Sequence, residues 1–426
     1  MIHNIFFNSD KNGENGENGE NNKNDKNDKN DKNDKNDEND KNDENDKNDE
    51  KPKYYKTINV YSFNLRIDIK NYDTIENSSN NKLSYEILKK LGKGAFSDVF
   101  LVNEHVKQVE RNEETLSYDF KNNHNSLRKL ALKSIICKPN YIKHSYNEYK
   151  CYEKIKNECD YIIHCFDYFL LKNNTYYNTP CFVFEYFEQN WYSYMKKNFV
   201  ERYGLKIDIL LNLVKSLVLG TDFLHTKDII HCDLKPENIV INSKNQIKII
   251  DLGSSINKIY RDNQFYMQTR YYRSPNCILH CDINPRIDYW SIGCILYEAL
   301  TLIPLFNKKH ERQVLLKQMR FIDIPHEKIG RHCFTIRRLY NYNLQCWNIK
   351  IQKDNLLLYL IDYLELIHIS RPKTQIDWIL DEKNGFYSMI KMCILDHYNK
   401  KDNNYFSCFY NLENEYYSKF PPITTV

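Results

Sequence analysis

No two cysteines of this 426-residue chain stand in Cys-x-x-Cys spacing. The 13 present are odd in number and spread from Cys137 to Cys408, which argues against a disulfide framework and against a zinc module. A reducing compartment, cytoplasm or nucleus, is the expected setting. Long apolar runs are missing too. Met1 to Ser9 carries a core of only Ile5, Phe6 and Phe7, too short for a signal peptide, and no later stretch approaches the roughly 18 apolar residues of a membrane span. No membrane partner is expected. Residues 11–53 have almost no apolar side chain and cycle through Asn-Gly-Glu, Asn-Asp-Lys and Asn-Asp-Glu triplets. Burial there cannot offset the entropy of ordering, so residues 1–53 are expected to form a disordered low-complexity tail.

Net charge is +4, but residues 10–53 hold 16 acids against 10 bases, leaving 51 bases and 41 acids elsewhere. The rest of the chain is mildly basic. A solvated Lys-rich surface explains that balance as well as acidic partners do, and no direct nucleic-acid partner is expected. Residues 54–82 read as an N-terminal extension in which Thr57 to Ile69 alternates like one or two strands. From Leu83 onward the patterning strengthens. Tyr85 to Val102 reads as strand, tight turn and strand around a Gly-x-Gly break, and Leu130 to Ile136 as a further strand. Between them, 104–128 is expected to be a long polar loop. Tyr141 to Lys156 is helix-like, Cys181 to Tyr186 strand-like, and Lys206 to Thr226 a long amphipathic helix. Beyond Asp288 the pattern is almost wholly helical. A strand-rich part before a helix-rich part predicts an α+β fold of two lobes.

Phosphoryl transfer from a nucleotide needs backbone amides near the phosphates, a fixed cation, oxygen ligands for a metal, and a carboxylate beside the attacking hydroxyl. Leu91-Gly92-Lys93-Gly94-Ala95-Phe96-Ser97-Asp98-Val99 puts two glycines in a turn between strands, where the missing Cβ lets backbone lie over phosphate. An ordinary hairpin would look the same. Lys133 stands inside the apolar strand Leu130-Ala131-Leu132-Lys133, where an ammonium is costly without anionic partners. Glu148 in the following helix is favoured as its carboxylate over Glu153, because Tyr149, Tyr152 and Ile155 flank it at helical spacing.

The most specific signal is Ile230-His231-Cys232-Asp233-Leu234-Lys235-Pro236-Glu237-Asn238, followed by Asp251-Leu252-Gly253. In this chemistry Asp233 accepts the hydroxyl proton, Lys235 neutralises charge on the γ-phosphate, and Asn238 and Asp251 hold Mg²⁺ through oxygen. Taken alone, His231 reads as a packed structural histidine.

The ordered set Gly92, Gly94, Lys133, Glu148, Asp233, Asn238 and Asp251 resembles the eukaryotic protein kinases over residues 83–400. His231 to Asn238, Asp251 to Ser255 and Tyr266 to Pro275 are similar to the DYRK branch of the CMGC group. Phe96-Ser97 and Asp251-Leu252-Gly253 lean toward the SR-protein kinases and their CLK relatives. The resemblance implies an antiparallel-sheet N-lobe with one helix (about 83–186), a mostly helical C-lobe (about 187–400) and a C-terminal extension (401–426). It implies ATP and Mg²⁺ as cofactors, with ATP bound by Leu91, Gly92, Gly94, Val99, Lys133 and Glu148. Phe184 corresponds to the gatekeeper of the adenine pocket, and Glu185 to Phe187 to the hinge that bonds adenine. Protein substrates with Ser or Thr acceptors follow, splicing or other regulatory factors among them. Tyr266 matches an activation tyrosine phosphorylated in cis, and Asp288 a buried carboxylate that holds the catalytic loop.

Four departures stand out. The third loop glycine is Ser97, Leu252 replaces Phe in the metal-binding turn, and Cys232 replaces Arg. A thiol cannot clamp phosphate as a guanidinium does, so Arg270 or Arg273 is expected to hold any activation-loop phosphate. Ser274-Pro275-Asn276 stands for Ala-Pro-Glu, and Asn276 is expected to bond Arg371 without neutralising it. A pseudokinase scaffold that binds partners without turnover is the alternative reading.

Overall fold

The computed structural model describes residues 74–76, 83–94, 96–106, 128–136, 139–171, 179–200, 204–257, 267–280, 283–325, 339–341, 346–347, 350–366, 372–398 and 405–419. All of these lie in one contact unit, Tyr55–Val426. In chain order the elements begin with β1 (Thr74–Glu76), β2 (Leu83–Lys93), β3 (Ser97–Val106), β4 (Lys129–Ile135), α1 (Pro139–Ile155), β5 (Cys165–Leu171) and β6 (Thr179–Glu185). These strands form one antiparallel sheet in the order β1-β2-β3-β4-β6-β5.

Strand periodicity explains both faces of that sheet. Leu130 and Leu132 of β4 and Cys181 and Val183 of β6 join Tyr85, Phe100, Val102, Phe169 and Leu171 in one apolar cluster. Their neighbours point the other way, where Ile135, Phe182 and Phe184 meet Tyr152 and Ile155 of α1 in a second cluster continuous with the helical lobe. Each fully buried aromatic or branched residue here stabilises by about 2 kcal/mol. Lys133 shares this second face, which points it at α1 rather than at water.

The helical lobe follows as β7 (Gln189–Asn190), α2 (Trp191–Asn198), α3 (Ile207–Thr226), β8 (Ile229–Ile230), β9 (Ile239–Ile241), β10 (Ile247–Ile249), β11 (Ile256–Asn257), α4 (Pro275–Ile278), α5 (Arg286–Thr301) and α6 (Glu311–Phe321). The short pair β12 (Tyr340–Asn341) and β13 (Cys346–Trp347) precedes α7 (Leu356–Leu366), α8 (Lys373–Leu380), α9 (Phe386–Ile394) and α10 (Tyr405–Lys419). Every residue of α5 from Ile287 to Thr301 is buried. A Cβ at Gly293 of α5 would lie 2.7 Å from Cys393 Cβ and 2.8 Å from Ile394 Cγ1, so only glycine admits α9 that close. α10 lies along α3 and α9, with Tyr405 stacked on Tyr289 and Glu413 3.5 Å from Lys215.

The expected α+β division into a sheet lobe and a helical lobe is what the chain adopts. The long helix spans Ile207–Thr226 against the Lys206 to Thr226 read from periodicity. Within the expected 104–128 loop, β3 continues to Val106 because Glu104 N bonds Arg128 O at 3.1 Å; residues 107–127 lie outside the described residues. The strands expected over Thr57 to Ile69 lie outside them as well.

Candidate active site

The β2–β3 hairpin carries Leu91, Gly92, Gly94 and Val99. Gly92 pairs with Val99, and Val99 in turn pairs with Lys133. A Cβ on Gly92 would meet nothing within 4 Å, so the strand presents bare backbone. Gly94 N donates to Ser97 O at 2.7 Å, closing the turn, and a Cβ on Gly94 would lie 3.3 Å from that same oxygen.

Lys133 Nζ reaches Glu148 Oε1 and Oε2 at 2.8 and 2.9 Å and Asp251 Oδ1 at 2.8 Å. Glu148 is 2% exposed, whereas Glu153 faces solvent and accepts from Tyr149. Burial alone would depress the Lys133 ammonium, yet the Asp251 and Glu148 charges outweigh it and hold the group above its ordinary value. Burial would likewise raise the Asp251 carboxyl, but Lys133 overrides it and draws Asp251 down to about 2. For Glu148 burial dominates and lifts the carboxyl to about 7, against the pull of Lys133.

The residues around Asp233 form a second cluster. Asp233 Oδ2 lies 2.9 Å from Lys235 Nζ, and Asn238 Nδ2 donates to Asp233 O at 2.8 Å and Oδ2 at 3.2 Å. Two bonds join this cluster to the first: Ile250 N donates to Asn238 O at 3.0 Å, and the His231 ring bonds Ile250 O at 3.0 Å. Asp233 N donates to His231 Nδ1 at 3.2 Å, so the proton of the neutral ring sits on Nε2. Buried Asp288 accepts from His231 N at 2.8 Å and Cys232 N at 2.9 Å, and its Oδ2 bonds His225 Nε2 at 2.9 Å. Cys232 (φ 64) and Asp251 (φ 66) are both left-handed without being glycine. Strained backbone of that kind persists where surrounding bonds over-determine it.

The oxygen donors fit a hard divalent cation. Asn238 commits its amide nitrogen to Asp233, which leaves its amide oxygen for a metal, and Lys133 takes only Oδ1 of Asp251. One carboxylate and one amide oxygen suit Mg²⁺, which keeps waters and phosphate oxygens as its remaining ligands. Phe184 is 8% exposed, stacked on Phe182 and tilted against Tyr152; Glu185 and Phe187 are half-buried just beyond it.

Two residues that motif reading missed complete the arrangement. Thr269 donates to Asp233 Oδ1 from Oγ1 at 2.7 Å and from N at 3.0 Å, and it accepts from Lys235 at 3.0 Å. Asn147, beside Glu148 on α1, donates to Ser255 O at 2.6 Å and ties that helix to the chain after Gly253. Neither stands at a spacing that signals its partner, since 36 and 108 residues separate the pairs.

The two arginines expected to hold an activation-loop phosphate stand in different settings. Arg273 is 2% exposed, donates to Gln268 O at 3.1 and 2.6 Å and pairs with Glu311, so it has no open face for a phosphate. Burying a guanidinium requires such partners, and Glu311 at the start of α6 supplies the charge. Arg270 is half-buried at the start of a 3₁₀ turn. Tyr266 and Arg371 lie outside the described residues, and Asn276 bonds the His397 ring at 3.0 Å.

No helix among the described residues is long and apolar enough to cross a membrane. The family model for the protein kinase domain matches residues 85–346. Dual specificity tyrosine-phosphorylation-regulated kinase 3 of Rattus norvegicus is 32% identical over 252 residues, covering 58% of this chain and 38% of that protein. Kinase 4 of the same name from Homo sapiens is 34% identical over 250 residues, covering 57% and 42%, and kinase 2 from Drosophila melanogaster 32% over 278 residues, covering 63% and 34%. The chain thus spans about two-fifths of the length of the curated relatives it matches. The expectation of a DYRK-like kinase agrees with these relatives. Since the matched segment exceeds half of its 426 residues, the chain belongs to the protein kinase domain family.

Proposed function

We propose that this chain transfers the γ-phosphoryl group of ATP to Ser and Thr hydroxyls of proteins, with Tyr266 phosphorylated in cis during maturation. The observation that carries the reading is the meeting of Lys133, Glu148 and Asp251 beside a catalytic loop in which Asp233, Lys235 and Asn238 bond one another. Asp233 Oδ1 already accepts a hydroxyl hydrogen bond from Thr269. A substrate hydroxyl placed on the same carboxylate would pass its proton there as its oxygen bonds to the γ-phosphorus and the bond to ADP breaks. Lys133 orients the phosphates, and Lys235 offsets charge on the group in transit. Magnesium, when bound through Asn238 and Asp251, supplies further charge neutralisation. The names of the relatives support dual specificity, and Tyr266 to Pro275 resembles the DYRK branch.

Purified protein, incubated with Mg²⁺, labelled ATP and a degenerate Ser/Thr peptide library, is expected to label peptides, while a Lys133→Met control does not. Absence of labelling by the parent would sink the reading in favour of a scaffold. Protein expressed without other kinases is expected to carry phosphate on Tyr266 by peptide mass analysis; an unmodified and fully active chain would remove the maturation step.

A further inference from the structure

Lys248 sits in β10 between Ile247 and Ile249, with 5% of its surface exposed, three residues before Asp251. Its ammonium lies 2.5 Å from Glu185 Oε1, at the end of β6. The same carboxylate oxygen accepts from His164 N at 2.8 Å, and Glu185 N donates back to His164 O at 3.2 Å. Main-chain bonds from Ile163 N to Ile249 O (2.9 Å) and from Ile249 N to Tyr161 O (2.8 Å) complete the junction. Three segments therefore converge on one carboxylate: the start of the hinge, the chain entering β5, and the strand that leads to Asp251.

A buried ion pair is a poor source of stability, since an apolar pair of similar size generally serves as well. What it does supply is a fixed geometry. We infer that Lys248 is a positioning residue for nucleotide binding: by holding Glu185 it sets the hinge at a fixed place relative to β10, and hence to Asp251. Lys248 does not touch the nucleotide. It acts on the span between the backbone that bonds adenine and the carboxylate at the phosphate end, so both ends of one ATP can be engaged together. The inference rests on reading 185–187 as the adenine-bonding segment.

Freeing Glu185 loosens the adenine end and leaves the phosphoryl end intact once ATP is bound. The full chain carrying Lys248→Met is therefore expected to bind adenosine, and the non-hydrolysable analogue adenylyl imidodiphosphate, about tenfold more weakly, the weight of one ordinary hydrogen bond. KM for ATP rises by the same factor and kcat stays within about twofold, the signature of binding lost equally from ground and transition states. Lys248→Arg, which keeps the charge, is expected to restore adenosine affinity to within about threefold of the parent. Unchanged adenosine affinity in Lys248→Met overturns the inference, as does a loss shared equally by kcat and KM. Should Lys248→Met not fold, Lys248→Gln takes its place, and failure of both to fold marks the residue as purely structural and overturns it too. Calorimetric binding needs no turnover. A parent that binds adenosine without phosphorylating anything would sink the kinase reading and leave the affinity comparison to judge the clamp.

Discussion

Mild acid is expected to weaken this fold through His397, and the size of the effect follows from its surroundings. The imidazole is 2% exposed, bonds Asn276 Oδ1 through Nε2 at 3.0 Å, and meets the edge of Trp290. With Nε2 as the donor, Nδ1 is left buried with no hydrogen-bond partner among the described residues. A second proton would have to go there. Burial, and after it the Arg286 guanidinium, push the group down to about 3. The folded chain thus keeps His397 neutral while the unfolded chain protonates it near pH 6.5, so the unfolded state binds more protons between these values. Stability is complete above about pH 6.5 and declines as pH falls toward about 3, by about 1.4 kcal/mol per unit. Between about pH 7.5 and 5.5 the expected loss is about 1 kcal/mol. Urea titrations followed by tryptophan fluorescence at both pH values, for the parent and for His397→Gln, isolate this term from other titrating groups. The variant should lack that increment even if it is less stable throughout. If the two proteins lose stability in parallel, to within about 0.4 kcal/mol, the account of the Nδ1 site is wrong.

Asp233→Asn is expected to lower kcat by about 10²–10⁴-fold with ATP affinity nearly unchanged, and equal peptide-phosphorylation rates would refute its role as proton acceptor. Asn147→Asp replaces the donor to Ser255 O by an acceptor, so α1 should lose its tie and kcat should fall about tenfold. In a Glu148→Gln background the same change should cost little more, and simple additivity in steady-state kinetics would show that the two do not act together. Cys232 is fully buried among Ile230, Met267, Cys277 and Ile287. Cys232→Arg should therefore destabilise by about 3 kcal/mol or more, read as a lowered Tm, and an unchanged Tm would contradict the packing.

The departures at Cys232 and Asn276 gain a physical meaning from their neighbours. In place of a cation that could reach a phosphate, Cys232 helps fill an apolar cluster that also takes in Met267, 35 residues further along the chain. Arg273, the nearby alternative, is engaged by Glu311 and Gln268. At Asn276 a neutral amide meets a neutral imidazole, which avoids a buried charge.

Much of this was legible before any coordinates. The 3.6-residue spacing of Leu210, Leu211, Val214, Leu217 and Val218 is enough to write α3, because local burial periodicity belongs to the helix itself. Alternation in β4 likewise reveals two faces, and the residue types at 133, 148, 233, 238 and 251 carry a chemistry whose order along the chain is specific. Such patterns encode what each segment wants, but not which distant group satisfies it. Glu148, favoured over Glu153 from helical spacing, meets Lys133 only 15 residues away. That Thr269 caps Asp233, that Asn147 holds Ser255 and that Lys248 anchors Glu185 are instead pairings across tens of residues. They exist only because the sheet lobe and the helical lobe pack with one geometry, and a buried polar group then takes whichever partner that geometry delivers.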